Sequence, residues 1–203
     1  MSLLPVAQDT VDRVLAAMRA ADRARFLPAS ARHLAGVDSP VRIGWDATNS
    51  QPSTVARMLE LLDARPGHRV LDVGAGSGWT TAILAELGAA VVGVELVPEL
   101  VALGNANLAT HAAATRGAAS TQPAPRIVQA VEGVLGLPDD GPWDRILVSA
   151  DLGRMPDALV AQLADGGRMV APVAGAMRVV DVHDGRVRAR TDAGTYAFVP
   201  LRE

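Results

Sequence analysis

Cysteine and lysine are the residue types that this chain of 203 residues lacks. The absence of cysteine excludes disulfide bonds, thiol nucleophiles and cysteine-ligated metal sites. The absence of lysine excludes Schiff-base catalysis, since all 19 basic residues are arginine. The four histidines do not show the spacing of metal ligands; they are His33, His68, His111 and His183. We therefore predict no metal site.

Strong charge and long apolar runs are also missing. The formal net charge of -3 offers no electrostatic footprint for nucleic acid, so we expect no nucleic-acid partner. No run approaches about 18 apolar residues, and residues 1–12 contain two aspartates and no basic stretch before an apolar run. We therefore expect no membrane association and a cytoplasmic location. The length fits one domain, residues 1–203, as a monomer or weak homo-oligomer.

A glycine-rich segment is the most informative feature that is present. Residues 70–78 read Val-Leu-Asp-Val-Gly-Ala-Gly-Ser-Gly, and a second apolar run ends at Glu95 one helix length later. An apolar run before a glycine turn is typical of a buried parallel strand whose turn brings backbone N–H groups close to a ligand. A carboxylate at the end of the next strand can accept hydrogen bonds from both ribose hydroxyls. The two segments predict a site for a nucleoside-containing cofactor.

The glycines at 74, 76 and 78 are spaced differently from those of a dinucleotide-binding loop, whose third glycine comes one residue later. Asp72 precedes the first glycine, and its carboxylate would repel phosphates but suit the ammonium of an amino-acid moiety. This pattern resembles the first motif of the class I methyltransferases that use S-adenosylmethionine. An ordinary tight turn is the alternative, but it leaves the positions of Asp72 and Glu95 to chance.

Short apolar runs alternate with helical patterns along most of the chain, which is typical of a doubly wound α/β fold with a mostly parallel sheet. We predict strands at residues 69–73, 90–95, 126–129, 145–149 and 168–172. We predict helices at residues 6–21, 50–62, 79–87, 98–109 and 155–163. Two terminal strands, at residues 177–182 and 196–199, are expected to pair antiparallel across an Asp184-Gly185 turn. This is a Rossmann-like fold of the class I methyltransferase type.

Two parts of the chain have separate expected roles. Residues 1–65 form an N-terminal helical and substrate-cover segment, and residues 66–203 form the cofactor-binding α/β core. Residues 23–49 show no sustained periodicity, and an irregular stretch of this size in a compact domain is usually functional. The low-complexity residues 112–125 are expected to form a loop before the third strand of the core.

Several segments resemble one enzyme family over nearly the full length of the chain. Residues 38–44 read Asp-Ser-Pro-Val-Arg-Ile-Gly, and Thr-Asn-Ser-Gln-Pro follows at residues 48–52. Residues 142–146 read Pro-Trp-Asp-Arg-Ile, and the ending at residues 198–201 reads Phe-Val-Pro-Leu. These segments are similar to the signature, a core strand and the closing strand of the protein-L-isoaspartate O-methyltransferases. The resemblance implies S-adenosylmethionine as methyl donor and an isoaspartyl-containing peptide or protein as substrate.

The resemblance also implies roles for individual residues. Ser50 would lie beside the methyl-accepting carboxylate, and Thr48 would line the same pocket, as the two catalytic residues. From the residues alone, the favoured role of Ser50 is that of N-cap of the helix that follows. The expected cofactor-binding residues are Asp72, Gly74, Ala75, Gly76, Ser77, Gly78, Glu95, Leu96, Glu132 and Gly133. The expected substrate-binding residues are Ile43, Val199 and Pro200.

Three residues depart from the family pattern. Asp46 stands where members commonly carry Gln or Gly, Asn49 replaces an apolar residue, and Asp151 stands where Ala is favoured. If Asp46 and Asp151 faced the pocket, they would repel a substrate carboxylate; the alternative is that both point to solvent. The leading function is methyl esterification of isoaspartyl residues during protein repair. Two alternatives stay open, a carboxyl methyltransferase for an aspartate of a dedicated peptide and a non-catalytic S-adenosylmethionine-binding protein.

Overall fold

A computed structural model describes residues 2–115 and 123–202. The described chain forms five α-helices: α1 (Gln8–Ala20), α2 (Pro52–Leu62), α3 (Trp79–Glu86), α4 (Pro98–Thr115) and α5 (Asp157–Val160). Its strands, in chain order, are β1 (Val41–Gly44), β2 (Ala47–Asn49), β3 (Arg69–Val73), β4 (Ala90–Glu95), β5 (Arg126–Gln129), β6 (Trp143–Val148), β7 (Leu163–Val173), β8 (Ala176–His183) and β9 (Arg186–Asp192).

Seven of the described strands form one sheet, in the order β5-β4-β3-β6-β7-β8-β9. The first five strands in this order pair in parallel, whereas β8 and β9 are added antiparallel beside β7. The central strands β3 and β4 are almost continuous runs of buried apolar residues, as expected for a sheet that is covered on both faces. The predicted Rossmann-like fold is confirmed, and the carboxyl ends of β3 and β4 meet at one edge of the sheet.

The predicted strands 69–73, 90–95 and 126–129 have the bounds that the structure shows. The prediction of a terminal strand at residues 196–199 was wrong, because β9 takes that place. The turn at Asp184 and Gly185 has positive φ angles of 49° and 67°, which reverse the chain at once, so the residues directly after it pair with β8. The prediction of a loop at residues 112–125 was wrong at its start, since α4 continues to Thr115; residues 116–122 lie outside the described part.

The segment between α1 and α2 is more regular than its sequence suggests. It contains two 3-10 helices, Arg23–Phe26 and Ala29–Leu34, followed by the antiparallel hairpin of β1 and β2. A two-residue turn at Trp45 and Asp46 joins the two strands. This segment lies against the glycine loop that follows β3 (residues 74–78), since the side chain of Ile43 in β1 packs next to Gly76. Within the described residues, no helix is long and apolar enough to cross a membrane.

Candidate functional site

A pocket of about 280 Å³ lies at the carboxyl ends of β3 and β4. The core provides its floor through Gly74, Gly76 and Glu95. The tip of the β1–β2 hairpin and the C-terminal residues 199–202 form the opposite walls. In open α/β sheets, ligands bind at this edge, where loops follow the strands. The pocket therefore joins the two parts of the chain that the sequence assigns to the cofactor and to the substrate.

The glycine loop after β3 brings backbone rather than side chains to the pocket. Gly74 and Gly76 have φ angles of 77° and 53°, in the left-handed region that side chains rarely adopt. Gly78 has a φ of 86° and a second reason to be glycine, because a Cβ there would lie 3.1 Å from the carbonyl oxygen of Gly104 in α4. The loop thus needs glycine at all three positions for its course and at Gly78 also for close packing.

Glu95 ends β4 and lines the pocket. Its Oε2 accepts a hydrogen bond from the N–H of Gly76 at 2.9 Å, and its Oε1 accepts one from the N–H of Val97 at 3.0 Å. Two backbone donors therefore fix the carboxylate relative to the glycine loop. Each carboxylate oxygen can accept a further hydrogen bond, so the group remains able to bind a diol.

Asp72 does not line the pocket, contrary to its expected contact with the cofactor. It is completely buried, and its carboxylate accepts hydrogen bonds from the hydroxyls of Thr81 at 2.7 Å and Ser149 at 3.2 Å. Burial raises the pKa of Asp72 to about 6; the two hydroxyls oppose this shift and the charge of Glu95 adds to it. Because Ser149 itself lines the pocket, Asp72 lies one residue behind the pocket wall.

The other expected cofactor residues are placed differently from one another. Leu96 lines the pocket, whereas Ala75, Ser77 and Gly78 are buried in the loop and do not. Glu132 and Gly133 form an exposed turn between Ala130 and Val134, which both line the pocket. The structure therefore brings Gly74, Gly76, Glu95 and Leu96 together at the pocket surface.

On the acceptor side, Thr48 lines the pocket and Ser50 does not. Ser50 is half-buried, and it is not the N-cap of α2, because the cap residue is Gln51. Asp38 takes over the capping role from a distance, since its Oδ1 accepts a hydrogen bond from the N–H of Ser53 at 2.9 Å. This bond is the main cause that lowers the pKa of Asp38.

The three expected substrate-binding residues separate into two groups. Val199 and Pro200 line the pocket. Ile43 is buried beneath it, and its Cδ1 lies 3.4 Å from the position that a Cβ of Gly76 would occupy. Ile43 therefore supports the glycine loop and does not reach the pocket surface.

The structure gives Asn49 a role within the protein. Its side chain is buried, accepts a hydrogen bond from Nε of Arg23 at 2.8 Å and donates one to Oγ of Ser77 at 3.3 Å. Asn107 donates to the carbonyl oxygen of the same serine at 2.9 Å. An apolar side chain at residue 49 could form neither of the first two bonds, so this departure links β2 to the glycine loop.

The two acidic departures have different environments. Asp46 lines the pocket at its rim, where its exposed carboxylate pairs with Arg202 at 3.3 Å. Asp151 points neither into the pocket nor freely to solvent, because its carboxylate accepts hydrogen bonds from the N–H groups of Gly153, Ala174 and Gly175. These three bonds lower the pKa of Asp151, against the opposing effect of desolvation.

Sequence reasoning missed several pocket residues. Ser149 and Ala150 follow directly after β6, and the rule that sites form at the carboxyl ends of parallel strands would have identified them. Trp45 and Arg202 form the rim and carry no signal of this kind. Both turn residues of the hairpin, Trp45 and Asp46, have positive φ angles, an uncommon conformation for residues other than glycine.

The residues present fit S-adenosylmethionine. The glycine loop leaves room beside its backbone, the carboxylate of Glu95 suits a ribose diol, and apolar Leu96 and Val134 suit a flat base. The carboxylate of Asp72 behind the wall adds negative charge, which suits the positive sulfonium and ammonium groups. A pyrophosphate would be repelled by the same charges.

Comparison with known proteins decides the family. The family model for protein-L-isoaspartate(D-aspartate) O-methyltransferase matches residues 6–203. The chain belongs to this family. A protein-L-isoaspartate O-methyltransferase from Aeropyrum pernix is 43% identical over 202 residues, which cover 95% of this chain and 73% of that protein.

A protein-L-isoaspartate O-methyltransferase 1 from Anaeromyxobacter sp. is 42% identical over 195 residues, which cover 93% of this chain and 87% of the relative. Among solved structures, a putative protein-L-isoaspartate O-methyltransferase from Plasmodium falciparum in complex with S-adenosyl-L-homocysteine is similar in fold, with a TM-score of 0.79. It is 24% identical, and the match covers 94% of this chain and 90% of that one. Because the match covers 94% of this chain, the similarity in fold includes most of residues 1–65 as well as the core.

Proposed function

We propose that the chain transfers a methyl group from S-adenosylmethionine to the free carboxylate of L-isoaspartyl residues in proteins or peptides. The observation that carries this proposal is a single pocket that the glycine loop, Glu95 and Thr48 all line. A cofactor on the core side and an acceptor on the hairpin side would then meet in one space. The family membership supports the same reaction.

The reaction requires little acid–base chemistry from the protein. S-adenosylmethionine, when bound, supplies a methyl group on a positively charged sulfur. The acceptor carboxylate is already ionised at neutral pH, so no general base is needed. The protein must instead hold the acceptor oxygen in line with the methyl group and exclude water, because opposite charges are neutralised as the reaction proceeds.

We assign the positioning of the acceptor to Thr48 and Ser50. Thr48 lines the pocket, and Ser50 lies two residues further along the chain, just after β2 ends. Asn49 lies between them and projects to the interior, where it meets Arg23 and Ser77. The two hydroxyl groups are proposed to orient the two oxygens of the acceptor carboxylate. Val199 and Pro200 contribute an apolar wall near the same end.

We assign the ribose hydroxyls to Glu95 and the remaining cofactor contacts to the backbone of Gly74 and Gly76 and to Leu96. The exposed turn of Glu132 and Gly133 lies between pocket residues and is proposed to contact the adenine side. Asp72 acts through its charge, with Ser149 between it and the pocket. Ala75, Ser77 and Gly78 shape the loop.

Methyl esterification turns the isoaspartyl carboxylate into an ester, whose carbonyl carbon the neighbouring backbone nitrogen can attack with loss of methanol. The succinimide that forms is reopened by water, partly to aspartate. We therefore place the reaction in the repair of damaged proteins. We propose a cytoplasmic location and a monomer or weak homo-oligomer. Sedimentation at several concentrations tests the last point, since a stable dimer would appear at the lowest concentration used.

The test is a methylation assay with a peptide that contains one isoaspartyl residue beside its aspartyl twin. We expect base-labile methyl ester on the isoaspartyl peptide and background on the twin. Equal methylation of both peptides would contradict isoaspartyl specificity and favour a dedicated aspartyl substrate. Binding of S-adenosylhomocysteine without methylation of either peptide would contradict the proposed reaction on them, and would favour a dedicated peptide or a non-catalytic protein.

A further inference from the structure

Arg23 is a buried cation at the junction of α1 and the first 3-10 helix. Its exposed fraction is 5%, and it forms no ion pair among the described residues. Burial lowers its pKa, and the charge of Asp38 opposes this shift without direct contact. Burying a charge without a paired counterion is costly, so the contacts that the guanidinium makes must compensate for it.

The guanidinium donates to oxygens on two separate segments. Its Nε donates to Oδ1 of Asn49 at 2.8 Å, and its Nη2 donates to the carbonyl oxygens of Asn49 and Ser50 at 3.2 and 3.0 Å. The remaining bonds reach the loop before β1, at the carbonyl oxygens of Ala35, Val37 and Ser39. Arg23 therefore ties the segment that carries the proposed acceptor residues to the loop that precedes the hairpin.

The same side chain is joined to the cofactor side of the site. Its guanidinium carbon lies 5.3 Å from the ring centroid of Trp79, the residue that begins α3 directly after the glycine loop. Asn49, which accepts from Arg23, donates in turn to Oγ of Ser77 within that loop. Two routes, one through a ring face and one through an amide, thus connect Arg23 to the segment that turns around the cofactor site.

We propose that Arg23 is a positioning residue, which sets the Thr48–Ser50 segment at a fixed distance from the glycine loop. This inference rests on the proposed methyl transfer between those two segments. Arg23 itself does not line the pocket and contacts neither reactant. Its effect on the reaction comes from the geometry of Thr48 and Ser50, because a displacement of about 1 Å can reduce a rate by about 100-fold.

The planar fork of arginine is required by this arrangement. Five N–H groups in fixed directions serve acceptors on both sides of the guanidinium, whereas a lysine ammonium has three donors at one point. The Arg23→Lys variant keeps the charge and is expected to retain only part of the bonds. The Arg23→Met variant keeps much of the volume and removes all of them.

Arg145 provides a matched control. Its guanidinium is also held by main-chain carbonyls, with Nε donating to Leu62 at 2.9 Å and Nη1 to Asp144 at 2.7 Å. Desolvation is likewise the main cause that lowers its pKa. It lies near the start of β6, at the opposite edge of the sheet from the pocket. The Arg145→Met variant therefore measures what the loss of a carbonyl-bound guanidinium does to stability alone.

The experiment compares wild type, Arg23→Met, Arg23→Lys and Arg145→Met. The melting temperature, the Kd for S-adenosylhomocysteine, and kcat and KM for an isoaspartyl peptide are measured for each. We expect Arg23→Met to lower kcat by about 100-fold and to change the cofactor Kd by less than about threefold. The kcat of Arg23→Lys should lie between those of Arg23→Met and wild type. Arg145→Met should have a lower melting temperature than wild type and an unchanged kcat.

Hydrogen exchange provides a reading that does not depend on activity. In Arg23→Met, amides of residues 41–51 are expected to exchange faster, while those of residues 90–95 stay as in wild type. Should Arg23→Met not fold, Arg23→Lys takes its place in both measurements.

Two results would overturn the inference. The first is a decrease in kcat that is equal in Arg145→Met and Arg23→Met when their melting temperatures fall equally. The second is an unchanged kcat together with unchanged amide hydrogen exchange in the Arg23 variants. If wild type methylates no isoaspartyl peptide, the proposed function fails instead. Faster exchange confined to residues 41–51 would then still support the positioning role.

Discussion

Asp46 and Arg202 form an ion pair across the mouth of the pocket, with Nη2 of the arginine 3.3 Å from the carboxylate. The same nitrogen donates to the carbonyl oxygen of Trp45 at 2.9 Å. The hairpin tip and residues 199–202 are thereby joined above the pocket. Both side chains are largely exposed, so we expect the pair to contribute little to stability and more to the local potential at the entrance.

Asp46→Asn is the first variant to test. Asparagine tolerates the positive φ of 58° at this position, so the substitution removes the charge with little backbone strain. We expect kcat/KM for an isoaspartyl peptide to rise by about two- to threefold at low salt, because a repulsion of the substrate carboxylate is removed. Arg202→Gln should lower it by a similar factor. A lower kcat/KM in Asp46→Asn than in wild type would show that the rim carboxylate binds a cationic group of the substrate.

Glu95→Ala should weaken binding of S-adenosylhomocysteine by about 1.5 to 3 kcal/mol, the range for hydrogen bonds to a charged group. The variant also loses the bonds that hold Gly76 and Val97, so part of the effect arises from the loop. Titration calorimetry measures the change. Glu99→Ala, an exposed position in the first turn of α4, is the control and should bind as wild type does. Equal Kd values in the two variants would remove Glu95 from the ribose site.

Asp72 predicts a specific pH dependence. Its pKa is raised from 3.8 to about 6 by folding, so between these values the folded protein binds the proton more tightly than the unfolded chain. Its contribution to the free energy of unfolding therefore decreases as pH rises from about 4 to about 6, by about 3 kcal/mol in total. Denaturant unfolding of wild type and Asp72→Asn across this range isolates the contribution. The free energy of unfolding of Asp72→Asn should lack this decrease. If it depended on pH in the same way as that of wild type, the raised pKa of Asp72 would be contradicted.

The same carboxylate should influence cofactor affinity in the opposite direction. Above its pKa, Asp72 is ionised and attracts the positive groups of S-adenosylmethionine; below it, this attraction is lost. Affinity in wild type is expected to fall as pH is lowered through about 6. Asp72→Asn should bind weakly at every pH, and retained affinity at neutral pH would show that its charge is not used.

A substitution at Asp192 tests how strongly the N-terminal and C-terminal segments are held to α2. Its side chain is fully buried, and its carboxylate accepts from Arg57, the N–H of Leu4 and the hydroxyl of Tyr196. Asp192→Ala removes the shorter of the two ion pairs of Arg57 and leaves it with Glu60 at 3.4 Å, so we expect a loss of about 3 kcal/mol in the free energy of unfolding. Cofactor affinity should not change. Asp12→Ala, at an exposed position of α1, is the control and should stay within about 0.5 kcal/mol of wild type.

The periodicity of the sequence was sufficient for the central strands because each is decided locally. An apolar run that ends at a glycine or at Glu95 leaves few other choices, and strands 69–73 and 90–95 have the predicted bounds. The C-terminal segment could not be read in the same way. Residues 196–199 are as apolar as a strand but line the pocket with their last member, Val199, while the polar residues 186–192 form an exposed strand.

For the candidate site too, only the residues that belong to a local motif could be predicted from the sequence. Gly74, Gly76 and Glu95 are such residues, because their chemistry depends on the glycine loop and on the end of the next strand. The placement of Asp72 was not, because its separation from the pocket depends on Thr81 and Ser149 from other elements. Arg23 belongs to no sequence motif. Its proposed positioning role depends on hydrogen bonds to carbonyl groups up to 27 residues away in sequence, which only the folded chain brings together.

The wall formed by residues 199–202 has a consequence for how ligand binding is related to the integrity of the sheet. Asp151 accepts the N–H of Leu201 through its carbonyl oxygen, and its own N–H donates to the carbonyl oxygen of Val199. These bonds fasten the wall to the loop after β6, outside the seven-stranded sheet. A local detachment of the wall would therefore open one side of the pocket while the strand order of the sheet is kept, so ligand binding can be lost without unfolding of the core.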